Sequence, residues 1–237
     1  MVVNNFEKIE QLMKFTDKPC YYKFCIIVRN KDGKSPLINS SSNSGETMIK
    51  SWFVDSMEYY NKVKPEMIAL AEHTRGRLYM ALDRKDTHKT ILQLFTEISE
   101  IMKRIIFGDT TVPKRLNKIV NSVSSNVLCS EKTGKTLMYD IDCKDMSVLN
   151  GVIAYVLDYV QTVTTLETKN GYHVVVRKCF PITNNWQEEV SDFAISYAKL
   201  ENPKLTVEES LDIINKVKDI RVQQNQLGLV YFNFSFQ

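Results

Sequence analysis

The spacing of apolar and polar positions changes several times along the chain, and each change marks an element. Phe6, Ile9, Leu12 and Met13 recur at helical spacing and predict an amphipathic helix over residues 4 to 15. Tyr21 to Val28 is a run of aromatic and branched residues that predicts a strand, stopped by the polar tract Arg29 to Gly33. Residues 35 to 45, rich in serine and asparagine, read as a loop. Lys50 to Tyr60 reads as a helix, and Pro65 suits the first turn of another that ends near Ala71. Leu78 to Leu82 predicts a further strand. A long helix capped by Thr87 carries Ile91, Leu94, Phe95, Ile98, Ile101, Met102 and Ile105 on one face, a stripe expected to be core.

After a polar loop over residues 122 to 135, Leu137, Met138, Tyr139 and Ile141 predict a buried strand, and Ser147 opens a helix that runs to Tyr159. Val163 to Thr168 and Tyr172 to Val176 predict a hairpin, whose Asn170-Gly171 dipeptide suits the φ > 0 angles of a type I′ turn. Two helices follow, Trp186 to Leu200 and Thr206 to Val217, the second opened by the capping box Thr206-Val-Glu-Glu209. Leu229 to Phe236 alternates into a closing strand. This order predicts an α+β fold with a mixed or antiparallel central sheet backed by helices and an RRM-like (ferredoxin-like) palm. The expected division is an N-terminal α/β segment over residues 1–74 and a core over 75–237.

Composition narrows the picture. A chain of 237 residues with 43% apolar and 25% charged residues can bury a core and is ordinary for a soluble protein. The net charge of +3 neither demands nor excludes a nucleic-acid partner. Five cysteines with no C-x-x-C pair argue against a zinc module and a disulfide framework, and fit reduced thiols in a cytoplasmic protein. The N-terminus lacks a signal-peptide pattern and no window approaches eighteen apolar residues, so no membrane partner is expected. The abundance of Asn, Lys and Ile fits an AT-rich genome such as that of a phage or its host.

The candidate chemistry lies at the strand end Asp140-Ile141-Asp142. Residues i and i+2 of a strand share a face, and two carboxylates held that close need a cation between them or a shared proton. The competing assignment has one Asp capping the next helix and the other meeting a lysine at the sheet edge. His173 falls two residues past the Asn-Gly turn. Arg75, Arg77, Arg84 and Lys85 frame the strand Leu78 to Leu82, where guanidinium groups suit phosphate or simply solvate a surface. Lys114, Arg115 and Lys118 form a basic cluster open to the same two readings. Gly134-Lys135 lacks the P-loop pattern, and Lys31-Asp32-Gly33 lacks the spacer of the K-x-D-G nucleotidyl-ligase motif.

A hydrophobic strand ending in Asp140-Ile141-Asp142, followed by a hairpin carrying Asn170-Gly171-Tyr172-His173, resembles the first two motifs of the archaeo-eukaryotic primase (primase-polymerase) superfamily. The resemblance spans roughly residues 75 to 232. It implies that Asp140 and Asp142 hold Mg²⁺ or Mn²⁺ and that His173 contacts the phosphates of an incoming nucleotide. It also implies a third acid on a later strand, for which Asp219 is the candidate. Arg77, Arg75, Lys169 and Arg177 would assist at the nucleotide, and Lys114, Arg115 and Lys118 along a template. The implied reaction is nucleotidyl transfer, in which metal activates a 3′-hydroxyl and stabilises leaving pyrophosphate. The implied partners are nucleic acid, a nucleoside triphosphate and a replication protein such as a helicase. Two other readings stay open: a non-catalytic nucleic-acid- or protein-binding relative of this fold, and a metal-dependent nuclease using the same acids.

Overall fold

Where helical spacing predicts one element over residues 4 to 15, two are found: a strand β1 (Val2–Asn4) and a helix α1 (Phe6–Leu12), joined at Asn5. The buried Asn5 side chain accounts for the break. Its Nδ2 donates to the carbonyls of Glu167 and Leu229 at 2.9 and 3.0 Å, and its Oδ1 accepts from the Glu167 amide at 3.0 Å. Each of these backbone groups would cost about 1–3 kcal/mol if left buried and unpaired, which fixes the path of the chain there. The structure, a computed structural model, describes residues 2–16, 19–29, 32, 45–109, 111, 116, 118–127, 136–177, 183–224 and 227–233. Contacts divide the chain into two units, Met1–Leu12 with Lys132–Gln237, and Met13–Glu131. The division expected at residues 74 and 75 falls inside the second unit, because the strand that starts at Arg77 pairs with the one that starts at Cys20.

In the unit Met13–Glu131 the elements are β2 (Cys20–Arg29), β3 (Glu46–Val54), α2 (Met57–Thr74), β4 (Arg77–Ala81), β5 (Lys85–Asp86), α3 (Thr87–Ile106) and α4 (Ile119–Asn126). β2 lies between β3 and β4, antiparallel to both, and β5 pairs with its first two residues. Tyr22, Phe24 and Ile26 leave one face of β2 fully buried, and the Phe24 ring meets Tyr60 of α2 with centroids 5.6 Å apart. The helix expected over Lys50 to Tyr60 is instead β3 followed by the start of α2. Pairing of Tyr22 through Arg29 with this segment outweighs its weak helical spacing. Ser56 caps α2, accepting from the Tyr59 amide, and Pro65 lies inside one continuous helix rather than at the start of a second.

The stripe on α3 is the larger correction. Only Thr90 and Ile101 of that helix are buried, Ile101 in a small cluster with Ile119, Val123 and Val127 beside α4. Phe95 is 66% exposed, and Ile91, Ile98, Met102 and Ile105 are exposed as well. Among the described residues, the short α4 covers one flank of the helix, and the named apolar side chains on the rest of the stripe stay exposed. Asp86 rather than Thr87 caps α3, accepting from the Lys89 amide at 2.9 Å.

In the other unit, β6 (Leu137–Ile141), α5 (Met146–Leu157), β7 (Val163–Glu167), β8 (Tyr172–Val176), α6 (Trp186–Glu201), α7 (Val207–Lys218), β9 (Arg221–Gln224) and β10 (Leu227–Asn233) follow in order. β10 pairs antiparallel with β1. The other four strands form an antiparallel sheet in the order β7-β8-β6-β9. With a helix between β6 and β7, a hairpin between β7 and β8, and helices between β8 and β9, this is the split β-α-β arrangement of ferredoxin-like folds, within the expected α+β class. One face of the sheet (Leu137, Tyr139, Ile141, Val174, Val176) packs with Val152, Tyr155, Val190, Ala194, Ile213 and Val217 of the three helices. Helices α5 and α6 approach closely at Gly151, where a Cβ would lie 2.5 Å from that of Ala194. Thr206 and Glu209 form the expected capping box on α7. Among the described residues, no helix is long and apolar enough to cross a membrane.

Candidate functional site

Alternation along β6 turns Leu137, Tyr139 and Ile141 toward the helices and leaves Met138 and Asp140 on the opposite face. The register then assembles a row across all four strands: Leu166 of β7 pairs with His173 of β8, His173 with Asp140 of β6, and Asp140 with Arg221 of β9. Asp140 and His173 therefore stand on the two central strands with side chains on one face. His173 Nε2 lies 3.3 Å from Asp140 Oδ1, with the side chains 12% and 25% exposed. The other imidazole nitrogen, Nδ1, is buried with no hydrogen-bond partner among the described residues.

Asp142 is exposed, one residue beyond the last residue of β6. The hairpin closes on this exit. The Thr168 amide donates to the Gly171 carbonyl at 3.0 Å, so Lys169 and Asn170 form the turn and Gly171 already belongs to its far arm. None of the residues from Thr168 to Gly171 has positive φ, so the turn is not the expected type I′. The glycine answers a different need. A Cβ at Gly171 would stand 1.8 Å from the Ile141 carbonyl oxygen and 2.7 Å from the Cys143 amide nitrogen. Backbone from β6 passes over it too closely for any side chain.

The expected third acid, Asp219, is the exposed C-cap of α7. Two residues later β9 begins, and the residue it sets opposite Asp140 is Arg221, an exposed cation. Arg221 is the group that reading the sequence misses, because only strand register identifies it. Lys169 is exposed at the hairpin tip. Arg177 follows the last residue of β8, four residues from His173 and so about 13 Å along the strand at about 3.3 Å per residue. It lies at the opposite end of β8 from the turn.

The remaining cations of the expected phosphate cluster lie in the unit Met13–Glu131. Arg77 grips Asp32 in a two-pronged ion pair at 2.6 and 2.5 Å. Burial pulls its pKa down, but Asp32 and Tyr79 outweigh that and hold it above the usual arginine value. Arg75 is the left-handed C-cap of α2, with φ 52°. Arg84 donates to the Lys14 carbonyl and the Thr16 hydroxyl at 3.0 and 3.2 Å. Lys85 and Lys23 are buried. They donate to the Ser125 carbonyl and to the Asn121 carbonyl of α4, respectively, and burial lowers the pKa of both. Arg77, Arg84 and Lys85 thus brace their own unit. Lys118 is exposed at the N-cap of α4, while Lys114 and Arg115 lie outside the described residues.

No group of three or more His, Cys, Asp or Glu side chains among the described residues could hold a metal ion. Asp140 stands beside His173 on the sheet face and Asp142 lies exposed just past the strand end, so these two carboxylates are the candidate donors for a Mg²⁺ or Mn²⁺. Comparison with protein-family models, with curated proteins and with solved structures finds no match to this chain.

Proposed function

We propose that this protein carries out metal-dependent nucleotidyl transfer to a nucleic-acid strand, in the manner of a primase or polymerase. The observation that supports the reading is one register. Asp140 and His173 face each other across the two central strands of a ferredoxin-like sheet, on the side away from its helices. The D-x-D strand and Gly-aromatic-His hairpin of the primase-polymerase resemblance require these two groups on one surface. In this reading Asp140 and Asp142 take one or two Mg²⁺ or Mn²⁺ ions. The metal, when bound, neutralises triphosphate charge and activates the attacking hydroxyl. His173 holds the Asp140 carboxylate in one orientation, and Gly171 lets the hairpin close on the strand end that bears Asp142. Lys169 adds positive charge at the hairpin tip. Nucleic acid as acceptor, and a replication partner such as a helicase, belong to the same proposal.

Calorimetry tests it. Nucleoside triphosphate binding should require a divalent ion and should be lost in both Asp140→Ala and Asp142→Ala. Undiminished binding in the two variants would overturn the assignment. One observation favours a second reading, a nucleic-acid-binding relative without chemistry: Arg221, not an acid, stands across from Asp140. That reading expects single-stranded oligonucleotide to bind in chelator, equally well with Asp140→Ala.

A further inference from the structure

We propose that Arg221, rather than His173, receives the phosphates of the nucleotide, and that His173 is a positioning residue for Asp140. The inference rests on the nucleotidyl-transfer reading and deepens it. An imidazole has two nitrogens with which to meet a phosphate. In His173, Nε2 lies 3.3 Å from Asp140 Oδ1, and Nδ1 is buried without a hydrogen-bond partner among the described residues. On the other flank of Asp140, Arg221 occupies the directly opposed position of β9, so its side chain leaves the sheet on the same face. It is exposed, and among the described residues its side chain makes no ion pair or hydrogen bond.

A guanidinium has five N–H donors in a planar fork and can engage a phosphate by two parallel hydrogen bonds while a carboxylate stands beside it. The chemical consequence is a division of labour along one row. His173 donates from Nε2 to Asp140 and fixes that carboxylate. Arg221 takes negative charge from phosphate oxygens on the far side.

The test is calorimetric binding of inorganic triphosphate and of ATP, each with Mg²⁺, to the full chain and its variants. Arg221→Ala should weaken both probes by about tenfold or more, and Arg221→Lys, which keeps the charge but not the fork, by an intermediate factor. His173→Gln, whose amide can donate near the place of Nε2, should bind both probes within about twofold of the parent. Affinity for Mn²⁺, followed by the electron paramagnetic resonance of the free ion, should fall in His173→Ala and recover in His173→Gln. Loss of that recovery would remove the positioning role. Parent-like binding in Arg221→Ala, with its circular dichroism unchanged, would overturn the assignment to Arg221 while leaving the nucleotidyl-transfer reading intact. Loss of triphosphate binding in His173→Gln would return the phosphate contact to the imidazole. A parent protein that binds neither probe would sink the functional reading together with this inference.

Discussion

Substituting Gly171 by alanine tests whether the hairpin is shaped by a steric need at the exit of β6. The new Cβ would lie 1.8 Å from the Ile141 carbonyl oxygen, 2.7 Å from the Cys143 nitrogen and 2.9 Å from the Cys143 oxygen. Real Cβ atoms do not come closer than 3.0 Å, so the two backbones must separate by about 1.2 Å, the difference between 3.0 and 1.8. That is a quarter of the roughly 4.8 Å between paired strands. Every atom in the way is backbone, so no side-chain rotation relieves the clash. Overpacking of this kind costs about 1–3 kcal/mol, and the upper end is expected here. The displacement also reaches the candidate site. Opening the strands by that amount near His173 would stretch its 3.3 Å approach to Asp140 to roughly 4.5 Å, beyond hydrogen bonding. Urea unfolding followed by circular dichroism measures the loss, with Asn170→Ala, at an exposed turn position without positive φ, as the control expected within about 0.5 kcal/mol of the parent. A Gly171→Ala protein as stable as the control would refute the steric account.

Further outcomes follow from single side chains. Tyr139→Phe should raise stability by about 1 kcal/mol, because the Tyr139 hydroxyl is buried without a hydrogen-bond partner among the described residues and burial pushes its pKa well up; a loss of that size in thermal or urea unfolding would contradict this. Asn5→Ala should cost about 3 kcal/mol by orphaning the Glu167 amide and two carbonyls, and a urea midpoint close to that of the parent would show that the amide is dispensable. Asp145 caps α5 and accepts from Lys216 of α7 at 2.9 Å. Burial acts to raise its pKa, but Lys216 and the Ser147 and Val148 amides outweigh that and hold it below the usual carboxylate value. A carboxylate depressed in the folded state contributes stability above its unfolded pKa of about 3.9 and loses it as the pH falls through the folded value. Asp145→Asn should therefore flatten the decline of stability with acid below about pH 4, and an acid limb of unchanged slope would argue against the pairing.

The ferredoxin-like core was legible because its strands and helices each keep a clear period. The apolar run Leu137 to Ile141, the branched flanks of the hairpin and the Thr206 capping box all state their structure locally. Elements decided by partners distant in the chain were not legible. Glu46–Val54 is a strand because β2 pairs with it, not because its own spacing says so. The face of α3 has the period of a core helix, but period alone says nothing about whether another element arrives to cover it. Gly171 is visible in the sequence as a turn glycine, but its cause is a close backbone approach in place of positive φ, which only the packed strands reveal. In the candidate site, Asp140 and His173 carried a local motif, whereas Arg221 gains its importance solely from lying opposite Asp140. Arg77 looked the same in sequence as a phosphate-binding arginine, and its partner Asp32 came from a tract with no signal of its own.

The most direct test of the account is incorporation of labelled nucleoside triphosphate into nucleic acid, on primed and unprimed templates, with Mg²⁺ or Mn²⁺. The reading predicts extension or primer synthesis by the parent protein and its loss in Asp140→Asn and Asp142→Asn. Strand cleavage without incorporation, or incorporation undiminished in those variants, would contradict it.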